Sequence, residues 1–314
     1  MPFGPGDLPI GPLTKGLKAI FMEAYKLEAS KSISSRICTM MKSDSDSEDY
    51  PWLGAVPKVR EFLGPRWAAD LANFNYNIRN KTWENTIGVK RSDIEDNKLG
   101  MLSTRIRQLA VEAARYPDEL ALTFLLGAFG SQAVPYLCYD GQGLIDNDHP
   151  APSDADGAAQ DNLDASALAI GTLWAAIAKM RGFQDDTGRV MGIEPDLLLV
   201  EPALEQIARE LVPPKGAAGV SAQTAVMSEM GIDVMVSGYL FHNATAANSL
   251  WFLMSTKGVV RPLIMQQRSK VEFGSLEKES DSGFLRDEFY FGTRARYNVG
   301  SGAWFTVIGT GGAN

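Results

Sequence analysis

Three potential metal ligands stand close together near the middle of the chain, in the sequence CYDGQGLIDNDHP at positions 138–150. Asp146, Asp148 and His149 supply carboxylate and imidazole groups, which commonly bind the divalent metals of hydrolytic enzymes. Such a site normally takes a further ligand from elsewhere, and His242 is the only other histidine. One hypothesis is therefore a cytoplasmic metal-dependent hydrolase that uses these three residues.

Turn chemistry gives the same segment a simpler explanation, which we favour. Asp140-Gly141 and Asn147-Asp148 are residue pairs typical of tight turns. The chain has none of the nucleophile-elbow, phosphate-loop, dinucleotide-binding or zinc-protease motifs. We therefore expect no catalytic residue, no bound metal and no cofactor, and we favour a structural or assembly protein over an enzyme.

The composition is that of a globular protein with an acidic balance. The 314 residues are 45% hydrophobic, and 30 Lys+Arg against 38 Asp+Glu give a net charge of −8. This length suits one large or two ordinary domains, and the charge argues against a protein whose main task is to grip nucleic acid phosphates. We expect no membrane span and no signal peptide. Cys38 and Cys138 predict two buried thiols in a reducing cytoplasm.

The N-terminal segment predicts an arm that needs a binding partner. Prolines and glycines within 1–15 favour an extended chain, and an amphipathic pattern follows over 13–29. An arm of this kind has too little apolar surface to fold alone, so we expect inter-subunit contacts. The acidic run at 43–49 predicts a solvated loop. The expected contact residues of the arm are Leu17, Ile20, Phe21 and Tyr25.

A long two-stranded hairpin is predicted next, with strands at 73–79 and 82–89 and a turn at Asn80-Lys81. Its polar face is rich in asparagine and charge. An isolated hairpin is only marginally stable in water, so we expect it to pack on a neighbouring subunit; the alternative is that it folds back on its own domain. The expected contact residues are Phe74, Tyr76, Ile78, Arg79, Lys81, Trp83, Glu84 and Ile87.

Helices are predicted after the hairpin. Ser92 and Glu95 form a capping box that starts a short helix, which we expect to end at Gly100. Apolar residues at spacings of three and four predict a long amphipathic helix over 101–116. Pro117 then predicts the first residue of a second, buried helix.

The remaining chain predicts an α/β block and then strands. A small, acidic stretch at 151–165 is typical of a domain boundary. Within 156–255 the pattern predicts helices at 166–180 and 202–211 and strands at 197–200, 231–238 and 250–254. The last sixty residues predict long strands, with a turn at 298–302.

This order of elements resembles the HK97-type fold of tailed-phage major capsid proteins, and the local sequence is similar to the Mu-like phage major head subunit family. The resemblance is carried by YPWLGAVPKVREFLG, NYNIRNKTWENTIGVKRSDIEDNKLG, ARYPDELALTFLLGAF and CYDGQGLIDNDHP at 50–64, 75–100, 114–129 and 138–150, and more loosely by 192–208 and 290–305. It implies an α+β fold with an arm at 1–49, an extended loop at 50–92, a peripheral domain at 93–155 and 256–314 with a spine helix, and an axial domain at 156–255.

The same resemblance implies a function. Hexamers and pentamers of the chain would close into an icosahedral phage head around double-stranded DNA, held without sequence specificity. Portal and scaffolding proteins would take part in assembly in the host cytoplasm, and decoration proteins would bind the virion. Some shells of this fold are cross-linked through a lysine of the extended loop, but Lys81 shows no local signature of that chemistry. A nanocompartment shell with the same fold, enclosing an enzyme cargo, is a further alternative.

Overall fold

The computed structural model describes residues 10–50, 76–95, 99–129, 134–150, 159–185, 188–217, 222–240, 250–276 and 288–310. None of the helices in these ranges is both long and apolar enough to cross a membrane. The helices are α1 (Ile10–Ala29), α2 (Ser34–Ile37), α3 (Arg91–Glu95), α4 (Leu99–Gly127), α5 (Ile170–Gly182), α6 (Glu205–Leu211) and α7 (Ala222–Glu229). The strands are β1 (Cys38–Lys42), β2 (Ser47–Asp49), β3 (Asn77–Arg79), β4 (Lys81–Lys90), β5 (Leu163–Asp164), β6 (Leu197–Val200), β7 (Asp233–Val236), β8 (Trp251–Met254), β9 (Leu263–Leu276), β10 (Glu288–Ser301) and β11 (Val307–Thr310).

A four-stranded sheet with the order β1-β9-β10-β4 forms one layer of the fold. β9 and β10 are an antiparallel pair of fourteen-residue strands, β4 adds an antiparallel edge and β1 a parallel one. Apolar side chains of β4 and β10, including Val89 and Phe291, meet Ile106 of α4 and Phe21 of α1 in one buried cluster. The sheet and the two helices therefore form a single packed unit.

α4 is one helix, so the prediction of two helices separated at Pro117 is wrong. A proline inside a helix removes the hydrogen bond to the carbonyl four residues earlier, and its ring crowds that carbonyl. The residues beyond Pro117, such as Leu122 and Leu125, are fully buried. This burial stabilises the continuation of the helix. The predicted end of the short helix at Gly100 is also wrong, because Gly100 lies in the first turn of α4.

A second, five-stranded sheet has the order β5-β11-β8-β6-β7 and lies in the main hydrophobic core. All four residues of β6 are fully buried, which agrees with a strand covered on both faces. α5, β6, β7 and β8 confirm that the predicted helix and strands of the 156–255 block exist, with somewhat different bounds. The helix predicted over 202–211 is divided into a 3-10 turn, Pro202–Leu204, and α6. α7 was not anticipated.

The end of the chain departs from the prediction. β10 continues through Ser301, so the expected turn at 298–302 is wrong, and the break falls at a 3-10 turn, Trp304–Thr306. β11 pairs with β8 and β5 and therefore lies in the sheet of the 156–255 block.

The arm is more structured than its sequence predicts. α1 begins at Ile10, so the expected extended chain up to residue 15 is wrong over 10–15; Pro12 lies in the first turn, where its missing N–H costs nothing. β1 is a strand of the four-stranded sheet. The apolar side of α1 and the strand β1 thus find their partners within the same chain, in α4 and β9, and contact of the arm with a second subunit stays a prediction.

The predicted hairpin is wrong as well. β3 and β4 are separate strands: β3 pairs antiparallel with β2, whereas β4 pairs with β10. β4 thus follows the alternative, in which this segment folds back on its own domain. β2 occupies part of the run 43–49 that was predicted to be a solvated loop.

Candidate functional site

The three candidate metal ligands do not form a metal site. The Asp146 carboxylate accepts hydrogen bonds from the backbone N–H groups of Gly143 and Asn147, at 3.3 and 2.7 Å. Within the described ranges, no group of three or more His, Cys, Asp or Glu side chains is placed to hold a metal ion. The segment is a set of turns, in agreement with the favoured interpretation, and Gly141 has the positive φ of +88° that such a turn requires.

His149 has a structural role instead. Its ring is completely buried and stacks on the indole of Trp304, with centroids 4.1 Å apart. Nδ1 lies 2.7 Å from an Asp140 carboxylate oxygen and Nε2 lies 3.2 Å from Oδ1 of Asn162. Both ring nitrogens are therefore engaged, and the ring joins the turn segment to the residues before β11.

β2 and β3 form a stem that closes the segment 51–75. Tyr50 and Tyr76 are the described residues on either side of this segment. The Tyr50 N–H donates a hydrogen bond to the Tyr76 carbonyl at 2.8 Å. The ladder continues with Asp49 opposite Asn77 and Ser47 opposite Arg79. Segment 51–75, which lies outside the described residues, therefore starts and ends at the same point of the fold.

Two buried tyrosines fix this stem to the four-stranded sheet. The Tyr50 hydroxyl donates to Oε1 of Gln266 at 2.7 Å, and the Tyr76 hydroxyl accepts the Ser301 N–H at 2.5 Å. Gly300 permits that approach, because a Cβ there would lie 2.5 Å from the Tyr76 hydroxyl. Burial raises the pKa of both tyrosines, so both phenols stay protonated and able to hydrogen-bond.

The turn before β2 is organised by Glu48. Its carboxylate accepts the backbone N–H groups of Asp44 and Ser45, at 2.8 and 3.1 Å, and the Ser43 hydroxyl at 3.0 Å. These backbone hydrogen bonds hold the pKa of Glu48 below its usual value. The acidic run is therefore an ordered turn at the foot of the stem.

The residues expected to contact a neighbour fall into two groups. Leu17, Phe21, Tyr76 and Ile78 are buried inside their own chain. Ile20, Tyr25, Trp83 and Ile87 are half-buried, and Arg79, Lys81 and Glu84 are exposed. Phe74 lies outside the described residues. Contact with a second subunit stays a prediction for all of them.

α2 is held to α4 by a buried carboxylate that the sequence did not reveal. Asp118 accepts the Ile33 and Ser34 N–H groups, at 3.0 and 2.8 Å, and the Ser32 hydroxyl at 2.7 Å. It therefore acts as an N-terminal cap for a helix far away in the sequence, positioned by the turn of α4 that contains Pro117.

A cleft between α4 and the four-stranded sheet is the feature that sequence patterns missed most completely. It has a volume of about 260 Å³ and is lined by ten residues. Its aromatic wall consists of Trp83, Tyr116 and Tyr297; the Trp83 ring meets Tyr116 edge-on at 4.8 Å, and the Trp83 Nε1–H donates to the Tyr297 carbonyl at 2.9 Å. These residues come from β4, α4 and β10, so no local spacing connects them.

The fold and these surfaces define a class of protein. The long helix α4 lies across the sheet that contains the long strands β9 and β10, and a second α/β unit has its own sheet. The stem of β2 and β3 closes segment 51–75. Together these features are the HK97-like capsid fold. The sequence model of the Mu-like prophage major head subunit gpT family matches residues 10–167, 163–240 and 221–312. The chain belongs to that family, which is one of structural shell subunits and not of enzymes.

Individual relatives agree with this assignment. The chain is 26% identical over 295 residues to the Mu-like prophage FluMu major head subunit of Haemophilus influenzae, covering 93% of this chain and 71% of that protein. It is 35% identical over 131 residues to the major capsid protein of Escherichia phage Mu, covering 42% of this chain and 41% of that one. The procapsid of bacteriophage JBD30 matches with a TM-score of 0.58 and 27% identity, covering 98% and 77% of the two chains. The chain is therefore a major capsid subunit of the Mu-like type, located in the virion, and many copies of it build a capsid.

Proposed function

We propose that the chain assembles into hexamers and pentamers that close an icosahedral phage head around double-stranded DNA. The observation that carries this proposal is the stem at Tyr50 and Tyr76, together with membership of the major head subunit family. A segment that starts and ends at one fixed point can project from a subunit without disturbing its core. Segment 51–75 is therefore proposed as the part of the extended loop that reaches an adjacent subunit.

The domain division is proposed with one adjustment. The peripheral domain would combine 93–155 with 256–306, and the axial domain would combine 156–255 with 307–310, because β11 pairs with β8 and β5. β1 and β4 would belong to the peripheral sheet. The arm would contact neighbours through its outward side, since Leu17 and Phe21 face the chain's own core.

We propose three kinds of partner: assembly proteins, decoration proteins and the packaged DNA. Scaffolding and portal proteins would act during assembly in the host cytoplasm, and decoration proteins would bind the finished shell; a decorated capsid is known for bacteriophage JBD30. The packaged DNA would be enclosed without sequence specificity, as the family resemblance implies. A chain of net charge −8 offers few phosphate contacts and would therefore not bind the DNA tightly.

Electron microscopy of the chain, expressed alone and with its native scaffold, tests the proposal. The expected result is capsomer rings or closed shells. A monodisperse monomer or dimer under both conditions would contradict it.

The contents of shells purified from infected cells separate a phage head from a nanocompartment: DNA protected from nuclease supports the head, whereas a protein cargo without DNA supports the alternative.

A deletion tests the role of segment 51–75. A short Gly-Ser linker can replace it, because the backbones of Tyr50 and Tyr76 are already hydrogen-bonded. The expected variant has the far-UV circular dichroism and melting behaviour of the wild type but does not close into shells. Insertion of the same linker beside Val259, which is 94% exposed, is the control and should leave assembly unchanged. Closed shells from the deletion variant would refute this role.

A further inference from the structure

The cleft between α4 and the sheet has the chemistry of a site for an organic cation. Three aromatic rings line it, and cations bind favourably over the faces of tryptophan and tyrosine. Burial raises the pKa of Tyr116 and Tyr297, so both rings remain neutral phenols. A volume of about 260 Å³ lies below the range of about 300–1,000 Å³ typical of small-molecule pockets. It suits one inserted side chain better than a cofactor.

The cleft also offers polar groups that can accept hydrogen bonds from an incoming side chain. Glu112, Asn85 and Thr293 contribute a carboxylate, an amide and a hydroxyl to the lining. Among the described residues, none of these three side chains makes a hydrogen bond or an ion pair. A guanidinium carries five N–H donors and an ammonium three, so either group could satisfy several of these acceptors at once.

The chain's own basic side chains near the cleft are directed elsewhere. On β10, Thr293, Ala295 and Tyr297 line the cleft, so the alternating Arg294 and Arg296 face the other side of the sheet. Arg296 lies 3.4 Å from the Asp46 carboxylate. Arg115, one turn along α4 from Glu112, is held by Glu28 at 2.6 Å. The ten lining residues therefore include two glutamates, Glu84 and Glu112, but no lysine or arginine. The Glu84 carboxylate accepts a hydrogen bond from the Thr86 hydroxyl at 3.2 Å, which leaves Glu112 as the carboxylate without a partner among the described residues.

We propose that this cleft receives a lysine or arginine side chain from a second copy of the chain. The inference rests on the proposed function, because it needs many copies to lie side by side. Charge complementarity identifies the occupant. The cleft is acidic and aromatic, and each copy exposes basic side chains on the outer side of α1, such as Lys15, Lys18 and Lys26, which pair with no other residue of the described ranges. Because each copy carries both a cleft and basic side chains, the cleft of one copy can bind a side chain of the next. Such a contact is head-to-tail, and head-to-tail contacts can close into rings of subunits.

Charge removal at the cleft tests the proposal through assembly. Glu112→Gln keeps the size of an exposed side chain, so the fold is expected to be unchanged by circular dichroism. The subunit concentration needed for half-maximal assembly should rise about tenfold and depend less on salt. Glu119→Gln, at an exposed position of the same helix outside the lining, is the matched control. Equal assembly of the Glu112 and Glu119 variants would overturn the proposal, as would an effect of Glu112→Gln confined to buffers that contain polyamines.

Photo-cross-linking identifies the occupant. Both native cysteines are buried, so Asn85→Cys adds one accessible thiol at the cleft for a maleimide-benzophenone. Particles assembled from isotopically heavy and light subunits should give heavy-to-light links between the cleft and a peptide with a lysine or arginine at the contact. Closed particles with links only inside one copy, or with none, would overturn this inference alone. A wild-type chain that forms no particles would overturn the proposed function and this inference together.

Discussion

Replacement of Phe21 by alanine measures whether α1 is docked on its own chain before assembly. Phe21 is fully buried, and its ring lies 4.9 Å from that of Phe273 on β9. Truncation of a buried phenylalanine costs about 3–5 kcal/mol, and the higher helix propensity of alanine returns about 0.5 kcal/mol. We expect the free energy of unfolding of the unassembled subunit to fall by about 3 kcal/mol.

The assay is urea unfolding of unassembled subunits followed by far-UV circular dichroism. Leu27→Ala is the matched control, since Leu27 lies on the same helix and is 66% exposed; its unfolding free energy should change by less than about 0.5 kcal/mol. If Phe21→Ala unfolds like the wild type, α1 is not packed on its own core in the free subunit. An effect that appears only in assembled shells would lead to the same conclusion.

Three further predictions concern buried or ordered polar groups. Asp118→Ala should lower the free energy of unfolding by about 2 kcal/mol or more, because three donors lose their acceptor; urea unfolding measures this, and an unchanged midpoint would contradict the capping role. His149→Ala should destabilise the subunit by about 2–3 kcal/mol through the lost stacking on Trp304, and calorimetry should show no zinc binding to the wild type; zinc binding that His149→Ala abolishes would revive the metal site. The pKa of Glu48 is lowered on folding, so its stabilising effect is complete above the ordinary value of 4.5 and is lost as the pH falls through the lowered pKa. Glu48→Gln should therefore be less stable than the wild type at neutral pH and equal to it in acid, and a constant difference across that range would contradict this.

Local patterns predicted α5, β6, β7 and β8 of the α/β block but not α7, and they were insufficient for strand pairing. β6 reads LLLV and is followed by Pro202 at the start of a helical turn, so its burial and its connection could both be predicted. The alternation around Tyr76 and Ile78 correctly indicated one buried face. Alternation defines which face of a strand is buried but not which strand lies beside it, and so β3 was assigned to the wrong partner.

The candidate site was the least predictable part for the same physical reason. The cleft draws Trp83, Tyr116 and Tyr297 from three distant segments, and the Asp118 cap acts on a helix start near Ser34. Neither arrangement has a sequence period. The continuity of α4 through Pro117 could not be predicted either, because the burial that outweighs the lost hydrogen bond and the crowding of the proline ring comes from tertiary contacts.

The parallel pairing of β1 with β9 has a consequence for folding during synthesis. Cys38 lies opposite Leu263 and Lys42 opposite Gln267, so the two strands are joined across most of the chain length. Contacts between residues so far apart in sequence form slowly, since the loop-closure entropy must be overcome first. A nascent chain that has not yet emerged beyond residue 263 lacks the strand that receives β1 and the ring of Phe273 that Phe21 packs against. The four-stranded sheet therefore cannot be completed on the ribosome until β9 and β10 have been made, and nascent fragments do not present a finished surface to one another.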